Sequence, residues 1–193
     1  MDSATPNLLT QLFFKELNVS ITHSLQYGIL HLTIDRVERR NALTAEMFAD
    51  LADELDQAIM QTAVRVVLLK SSGNVFSAGA DLEEMFSAPE DLERETRRFF
   101  DSIAKFPKPL IAQVSGPCVG EAFAALLYCD LVYVSPQALF SLPAVALART
   151  PRYGAAQIMA AAAGYSPHVA RQFRAGKIYG FLHSVCSFQL NCT

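Results

Sequence analysis

The chain has 193 residues, 51% hydrophobic and 18% charged, a composition that excludes a disordered chain and fits one compact domain. Its 16 Lys and Arg against 19 Asp and Glu give a formal net charge of -3, without the basic excess of nucleic-acid-binding proteins. The four cysteines include no CxxC pair, which disfavours a zinc site and dithiol exchange.

The N-terminal stretch carries Asp2 and Glu16 and no arginine, unlike a secretory or transit peptide. No run of apolar residues approaches 18, so no membrane span is expected. We therefore expect an intracellular protein without a recognisable targeting signal.

The first half of the chain predicts a hairpin, a helix and a strand. Residues 19–34 contain two β-rich stretches broken at 26–28. Thr44 is a suitable cap for a helix, and the next buried strand is expected over 64–69. The apolar positions of the predicted helix recur every four residues at Met47, Leu51, Leu55 and Ile59.

The second half continues the alternation of helices and strands. Helices are predicted over 89–104, around 121–128, over 154–163 and from Ser166-Pro167, and extended segments over 110–114, 131–134 and 138–142. This alternation predicts an α/β fold built from repeated ββα units. From Gly176 onward the pattern has no clear period.

Several familiar chemistries lack their motifs. The four histidines, His23, His31, His168 and His183, accompany no GxSxG, and there is no HExxH. His23 and His31 are expected to be ordinary sheet positions. GxGxxG and GxxxxGK[ST] are also missing, which disfavours a nucleotide site. No metal ligand is predicted.

Two loops of small residues, 77–81 and 116–122, each lie between a predicted strand and a predicted helix start. Small side chains let a ligand approach the backbone, and free N–H groups at a helix start can stabilise a negative oxygen. If the loops face one another they form a backbone oxyanion hole. If they do not, they are tight turns that pack closely, and both interpretations stay open at this point.

Four segments in register resemble one family. They are RRNAL at 39–43, FSAGADL at 76–82, KPLIAQVSG at 108–116 and CDL at 129–131. Their order and spacing are similar to those of the crotonase, or enoyl-CoA hydratase/isomerase, superfamily. The resemblance covers about residues 19–175, with 1–18 as an N-terminal extension and 176–193 as a divergent tail.

The resemblance implies a right-handed spiral of ββα units that binds an acyl-CoA thioester. It implies an oxyanion hole made of the backbone N–H groups of Ala80 and Glu121, with coenzyme A present as part of the substrate and no separate cofactor. The positions that match the substrate-lining segments are Arg39, Arg40, Ala42, Ser77, Ala78, Gly79, Ala80, Asp81, Leu82 and Gly120. Arg39 or Arg40 is expected to meet a phosphate or to remain a solvated turn charge, and Asp81 is expected to fix its loop.

The chain departs from the family at the usual acids. A hydratase of this kind carries glutamates where this sequence has Ala124 and Ala144, and alanine cannot activate water. The TPRYG segment at 150–154 looks most like the peroxisomal-type delta-3,delta-2-enoyl-CoA isomerase branch, yet Arg152 stands where that branch has its glutamate. Glu121 is then the candidate base, or else a helix N-terminal carboxylate that faces solvent or Arg152.

Two functions remain open from the sequence. The first is an enoyl-CoA isomerase of fatty-acid β-oxidation that uses a single base, in a mitochondrion or a peroxisome-like organelle. The second is an acyl-CoA-binding paralogue or truncated product that lacks the acid and base residues. A homotrimer is expected by resemblance, although the C-terminal helical part that supports such assembly looks shortened here.

Overall fold

The computed structural model of the chain describes residues 20–143, 152–155, 157 and 179–180. The strands are β1 Ile21–Gln26, β2 Ile29–Ile34, β3 Val66–Ser71, β4 Leu110–Val114, β5 Cys118–Val119, β6 Leu131–Val134, β7 Leu139–Ser141 and β8 Tyr179–Gly180. The helices are α1 Ala45–Met60, α2 Leu82–Ser87, α3 Pro89–Ala104 and α4 Glu121–Leu126, with a short 3-10 turn at Val37–Arg39.

The strands form two sheets. The larger has the order β1-β2-β3-β4-β6, antiparallel between β1 and β2 and parallel from β2 onward. The smaller has the order β5-β7-β8. The predicted mixed α/β class is therefore confirmed. Because the parallel strands β2, β3 and β4 end at the same edge, the loops that follow them gather there, where α/β proteins hold ligands.

Helix α1 begins as the sequence predicts. Thr44 is its N-cap, and its hydroxyl accepts a hydrogen bond of 3.2 Å from the Met47 amide. Ile59 was expected on the buried face but is 38% exposed, whereas Ala58 is fully buried. An α-helix has 3.6 residues per turn, so side chains spaced four residues apart do not stay on one face. From Met47 to Ile59 their direction rotates by about 120°, and Ala58 rather than Ile59 faces the core.

Helices α1 and α3 cover one face of the larger sheet. The rings of Phe48 in α1 and Phe99 in α3 lie 5.7 Å apart between centroids. The sheet contributes the buried side chains of Leu32, Val67 and Ala112 to the same core. The two histidines expected on strands lie in β1 and β2, and His23 Nδ1 lies 2.7 Å from a carboxylate oxygen of Glu54.

Some element boundaries differ from the sequence prediction. Strand β3 begins at Val66 rather than at 64, because the Val64 amide bonds back to Gln61 in a turn. Helix α4 ends at Leu126 rather than at 128, since the next two amides make tight bonds to the third carbonyl before them. Strand β8, which was not predicted, pairs antiparallel with β7. The helices predicted at 154–163 and from 166 lie mostly outside the described residues.

Lys108 closes the C-terminal end of helix α1. Its ammonium group donates to the carbonyl oxygens of Ala58, Gln61 and Val64, at 2.5, 2.8 and 2.9 Å. The last carbonyls of a helix have no partner within it, and a cation there also complements the helix dipole. Lys108 thus joins α1 to the segment that enters β4.

We expect Lys108→Met to lower the free energy of unfolding by about 1–2 kcal/mol, because it leaves two part-buried carbonyls and one exposed carbonyl without their charged donor. Urea denaturation followed by circular dichroism measures the change. The matched control is Lys105→Met, since Lys105 is exposed on the same connection. Equal effects of the two substitutions would contradict the role given to Lys108.

Candidate active site

Asn41 holds together the loops that follow β2 and β3. Its side chain is 1% exposed; the amide nitrogen donates to the carbonyls of Ser72 and Val75 at 2.8 and 2.7 Å, and the amide oxygen accepts from the Arg36 backbone at 2.8 Å. All of its hydrogen-bonding atoms are therefore engaged in fixing the backbone. Asn41 adopts a left-handed conformation (φ 55°), which asparagine tolerates better than most residues.

Ser77 extends this framework and is fully buried. Its hydroxyl donates to the Asn41 carbonyl at 2.7 Å and accepts from the Gly79 amide at 3.1 Å. Its carbonyl accepts from Val119 at 2.9 Å, and its amide donates to Pro117. The buried Ser77 side chain thus joins the two loops, and the predicted contact of this segment with substrate stays a prediction.

Gly79 lies where the two small-residue loops cross. A Cβ atom placed on it would lie 2.8 Å from the Val119 carbonyl oxygen and 3.4 Å from the Glu121 nitrogen. Its φ is +88°, a region that side chains disfavour. The two small-residue loops therefore lie directly against one another at Gly79.

Asp81 fixes the far end of the same loop, as expected. It caps α2 by accepting from the amides of Glu83 and Glu84 at 2.8 and 3.2 Å, and its other oxygen lies 2.6 Å from the Arg36 guanidinium. Burial alone would raise the pKa of Asp81. The hydrogen bonds from Arg36 and the two amides outweigh burial and lower that pKa below its usual value of 3.8.

The amide of Ala80 points into the gap between the loops and meets the side chain of Glu121. The Ala80 N–H donates to the Glu121 carboxylate oxygen Oε2 at 3.2 Å. Ala80 is 7% exposed, so this amide has little access to water. The same Glu121 begins α4, with Gly120 as the residue before it at φ +61°. The two residues predicted to form the oxyanion hole are thus neighbours, with a carboxylate between them.

The Glu121 carboxylate is half-buried and does not pair with Arg152, one of the two surroundings that the sequence left open for it. It accepts from Ala80, whereas Arg152 pairs with Glu93, with 3.0 Å between Nη1 and Oε2. The hydrogen bond from Arg152 lowers the pKa of Glu93 below its usual value of 4.5. Arg152 is therefore a counter-ion in this site rather than a proton donor.

A small cavity of about 20 Å³ separates these groups, which is room for about one water molecule. It is lined by Ala80, Pro89, Leu92, Glu93, Thr96, Glu121, Arg152 and Tyr153. One wall is rigid, because the Tyr153 ring stacks on Phe100 with 4.3 Å between centroids. Glu121 and Glu93 are the acidic side chains in this lining.

Sequence reasoning missed Glu93 and Tyr153 as members of the site. Pro89, Glu93 and Thr96 recur every three or four residues along α3, which places them on one face of that helix. That spacing can be seen in the sequence, but only the structure shows that this part of α3 faces the loop at Ala80.

Ala124, at the place of one usual glutamate, lies in α4 as expected and is buried. Ala144 lies outside the described residues.

The remaining predicted contacts for coenzyme A lie around the crossing. Arg39, Arg40, Ala78 and Leu82 are exposed, and Gly120 is half-buried. Arg39 lies 3.9 Å from an oxygen of Glu83, and both side chains of this ion pair are exposed. Ala42 uses its carbonyl to accept from Arg36 at 3.0 Å. Their contacts with substrate remain predictions.

Within residues 20–143 and the few described beyond them, no group of three or more side chains is arranged to hold a metal ion. The helices of that same part are all too short or too polar to cross a membrane.

A sequence profile described as enoyl-CoA hydratase/isomerase matches residues 24–174. The chain belongs to the enoyl-CoA hydratase/isomerase family. The matched residues include both loops of the candidate site. The family resemblance of the four motifs is thereby confirmed.

Curated relatives of this family member differ in their reactions. It is 35% identical over 147 residues to the 2,3-dehydroadipyl-CoA hydratase of Escherichia coli, covering 74% of this chain and 57% of the relative. It is 33% identical over 131 residues to enoyl-CoA delta isomerase 2 of Rattus norvegicus, covering 64% of this chain and 33% of the relative. The chain thus spans about half the length, or less, of these relatives.

Solved structures of the family share the fold. Pseudomonas aeruginosa OdaA superposes with a TM-score of 0.85 at 32% identity, over 91% of this chain and 71% of that one. An enoyl-CoA hydratase/isomerase from Pseudoalteromonas atlantica superposes with a TM-score of 0.82 at 31% identity, over 89% and 68%. The predicted crotonase-like architecture is confirmed.

We expect Asp81→Asn to lower the free energy of unfolding at pH 7 by about 2 kcal/mol, since it removes the charged partner of Arg36. The folded-state pKa of Asp81 is depressed, so its stabilisation is present above the unfolded value and is lost as pH falls through the folded one. The difference between wild type and variant should therefore shrink below about pH 4. Urea denaturation at several pH values measures it.

The control for this substitution is Glu83→Gln, because Glu83 is an exposed carboxylate in the same turn. If Asp81→Asn lowered the free energy of unfolding by the same amount down to pH 2, the stabilisation would not come from the ionised Asp81 carboxylate.

We expect Gly79→Ala to destabilise the chain by at least about 2 kcal/mol, because the new methyl group would clash with the Val119 carbonyl as well as strain the backbone. Gly73→Ala is a matched control: its φ is +74°, but its Cβ would meet only the Val37 side chain. Thermal unfolding of both variants separates the clash from the strain. Similar losses would show that the loop crossing is not tight.

Proposed function

We propose that this chain binds an acyl-CoA thioester, stabilises its enolate at a backbone oxyanion hole and shifts a double bond from the delta-3 to the delta-2 position. The setting that this implies is fatty-acid β-oxidation, in a mitochondrion or a peroxisome-like organelle, with a homotrimer as the family-like assembly. The family membership supports the acyl-CoA part of this proposal. The isomerase part rests on the residues of the site.

The observation that carries the proposal is the hydrogen bond from the Ala80 amide to an anionic oxygen in the gap between the loops. In this structure the oxygen belongs to Glu121. A thioester oxygen that becomes negative during enolate formation needs the same kind of donor, in a place with little water. Because the donor is main chain, it does not depend on which side chains the two loops carry.

The proposed chemistry needs one base. Removal of a C2 proton from a 3-enoyl-CoA gives a dienolate whose charge rests on the thioester oxygen. Return of that proton to C4 leaves the double bond between C2 and C3, so one group that accepts and then donates the proton is sufficient. Glu121 is the candidate, since its carboxylate adjoins the Ala80 amide.

Hydration is disfavoured by the same residues. It requires a group that positions and activates water in addition to the oxyanion hole. Ala124, at the place of one usual glutamate, has a methyl group and is 2% exposed. The hydratase activity in the names of some relatives is therefore not what we propose for this chain.

The second candidate function is acyl-CoA binding without catalysis. It is favoured by Ala124 and by Arg152, which is paired with Glu93 and offers no base. Both candidate functions use the same two loops, so only a measurement of turnover distinguishes the isomerase from the binding protein.

A spectrophotometric assay of a 3-enoyl-CoA tests the proposal, because the conjugated product absorbs where the substrate does not. We expect turnover by the wild type and a loss of kcat of about 100-fold or more in Glu121→Gln, which removes the base. Glu46→Gln is the control, since Glu46 is an exposed glutamate in the first turn of α1. Binding without turnover would favour the paralogue, and absence of binding would contradict both functions.

A further inference from the structure

We propose that the Glu121 carboxylate is an internal ligand of the oxyanion position, which an acyl thioester must displace in order to bind. This inference rests on the proposed acyl-CoA site and assigns Glu121 a role before any proton moves. It concerns ligand selection, which turnover alone does not report.

The proposal follows from the fact that Glu121 and a thioester oxygen would compete for the same N–H group, that of Ala80. The Ala80 amide has a single N–H, and it already donates to Glu121 Oε2 at 3.2 Å. A carboxylate is a stronger acceptor than a neutral carbonyl oxygen, so the resting site favours its own side chain. The same oxygen lies 3.3 Å from the position of a Cβ atom on Gly79, which places it against the crossing of the loops.

The space around the amide leaves the carboxylate as the group that has to move. The cavity beside it, about 20 Å³, does not admit a thioester while Glu121 is in place. The Tyr153 side of the cavity is held by stacking on Phe100, and Arg152 is paired with Glu93. The Ala80 loop is fixed by the bonds between Leu43 and Gly79 and between Asp81 and Leu43, both 2.8 Å. Glu121, half-buried and with three rotatable bonds, is the freest of these groups.

Displacement links binding to reactivity. Once a thioester oxygen takes the Ala80 N–H, the released carboxylate is next to the carbon that the oxyanion hole acidifies. A ligand without a carbonyl at this position does not compete for the Ala80 N–H and leaves its bond to Glu121 intact. The internal ligand thus lowers the affinity of the site for thioesters and leaves that for coenzyme A derivatives without the carbonyl unchanged.

The test compares Glu121→Ala with Glu46→Ala by calorimetric titration of two probes, acetyl-CoA and S-ethyl-CoA, a thioether without the carbonyl. We expect Glu121→Ala to bind acetyl-CoA about tenfold more tightly than wild type, which is the effect of removing one charge-assisted competitor. Binding of S-ethyl-CoA should change by less than about twofold, and Glu46→Ala should leave both affinities unchanged. Equal or weaker acetyl-CoA binding by Glu121→Ala would overturn the proposal.

Amide hydrogen exchange at Ala80 gives a second, ligand-free readout. We expect this amide to exchange faster in Glu121→Ala than in wild type, and to be protected again by acetyl-CoA but not by S-ethyl-CoA. If neither acetyl-CoA nor S-ethyl-CoA binds to the wild type, the proposed acyl-CoA function is wrong. The exchange rate of the Ala80 amide still tests whether the Glu121 carboxylate occupies that amide. Unchanged exchange in Glu121→Ala would show that the carboxylate does not occupy the amide.

Discussion

The close approach of two backbone segments at Gly79 is the constraint on which the site depends. The Val119 carbonyl and the Glu121 amide come so near to Gly79 that a side chain there is excluded by both space and backbone angle. Ser77 donates a buried hydrogen bond to the Asn41 carbonyl, and the Asn41 side chain donates a part-buried one to Ser72, so both residues hold these loops in place. Only at this separation does the Ala80 amide face the start of α4, which turns two ordinary strand-to-helix loops into one site.

Many helix and strand positions could be predicted from the sequence, because the local preferences of the residues agree with the overall fold. Thr44 caps α1, Pro89 begins α3 and Leu110–Val114 forms a strand, each where the sequence patterns indicate. The pairing of the two small-residue loops was left open by the residues themselves and was implied only by the family resemblance. Ile59 was misplaced because a repeat of four residues does not hold its face over three helical turns.

What the sequence could not predict are contacts between residues that are distant along the chain. Nothing near Glu93 indicates that it pairs with Arg152, 59 positions later, and nothing near Glu121 shows that its side chain turns to Ala80 rather than outward. Ser77 lies in a motif that resembles a substrate-lining segment, and the structure shows that its hydroxyl bonds to the protein's own backbone. Motifs locate a site, and three-dimensional packing decides which atoms in it remain available.

The central claim is that the Ala80 amide polarises a carbonyl oxygen placed between the loops. Infrared difference spectroscopy of bound acetyl-CoA, labelled with carbon-13 at the thioester carbonyl, tests it most directly. The account predicts that the carbonyl stretch moves to lower frequency on binding than in water, because the oxygen accepts a fixed backbone N–H. A bound ligand whose carbonyl stretch equals that in water would contradict the account.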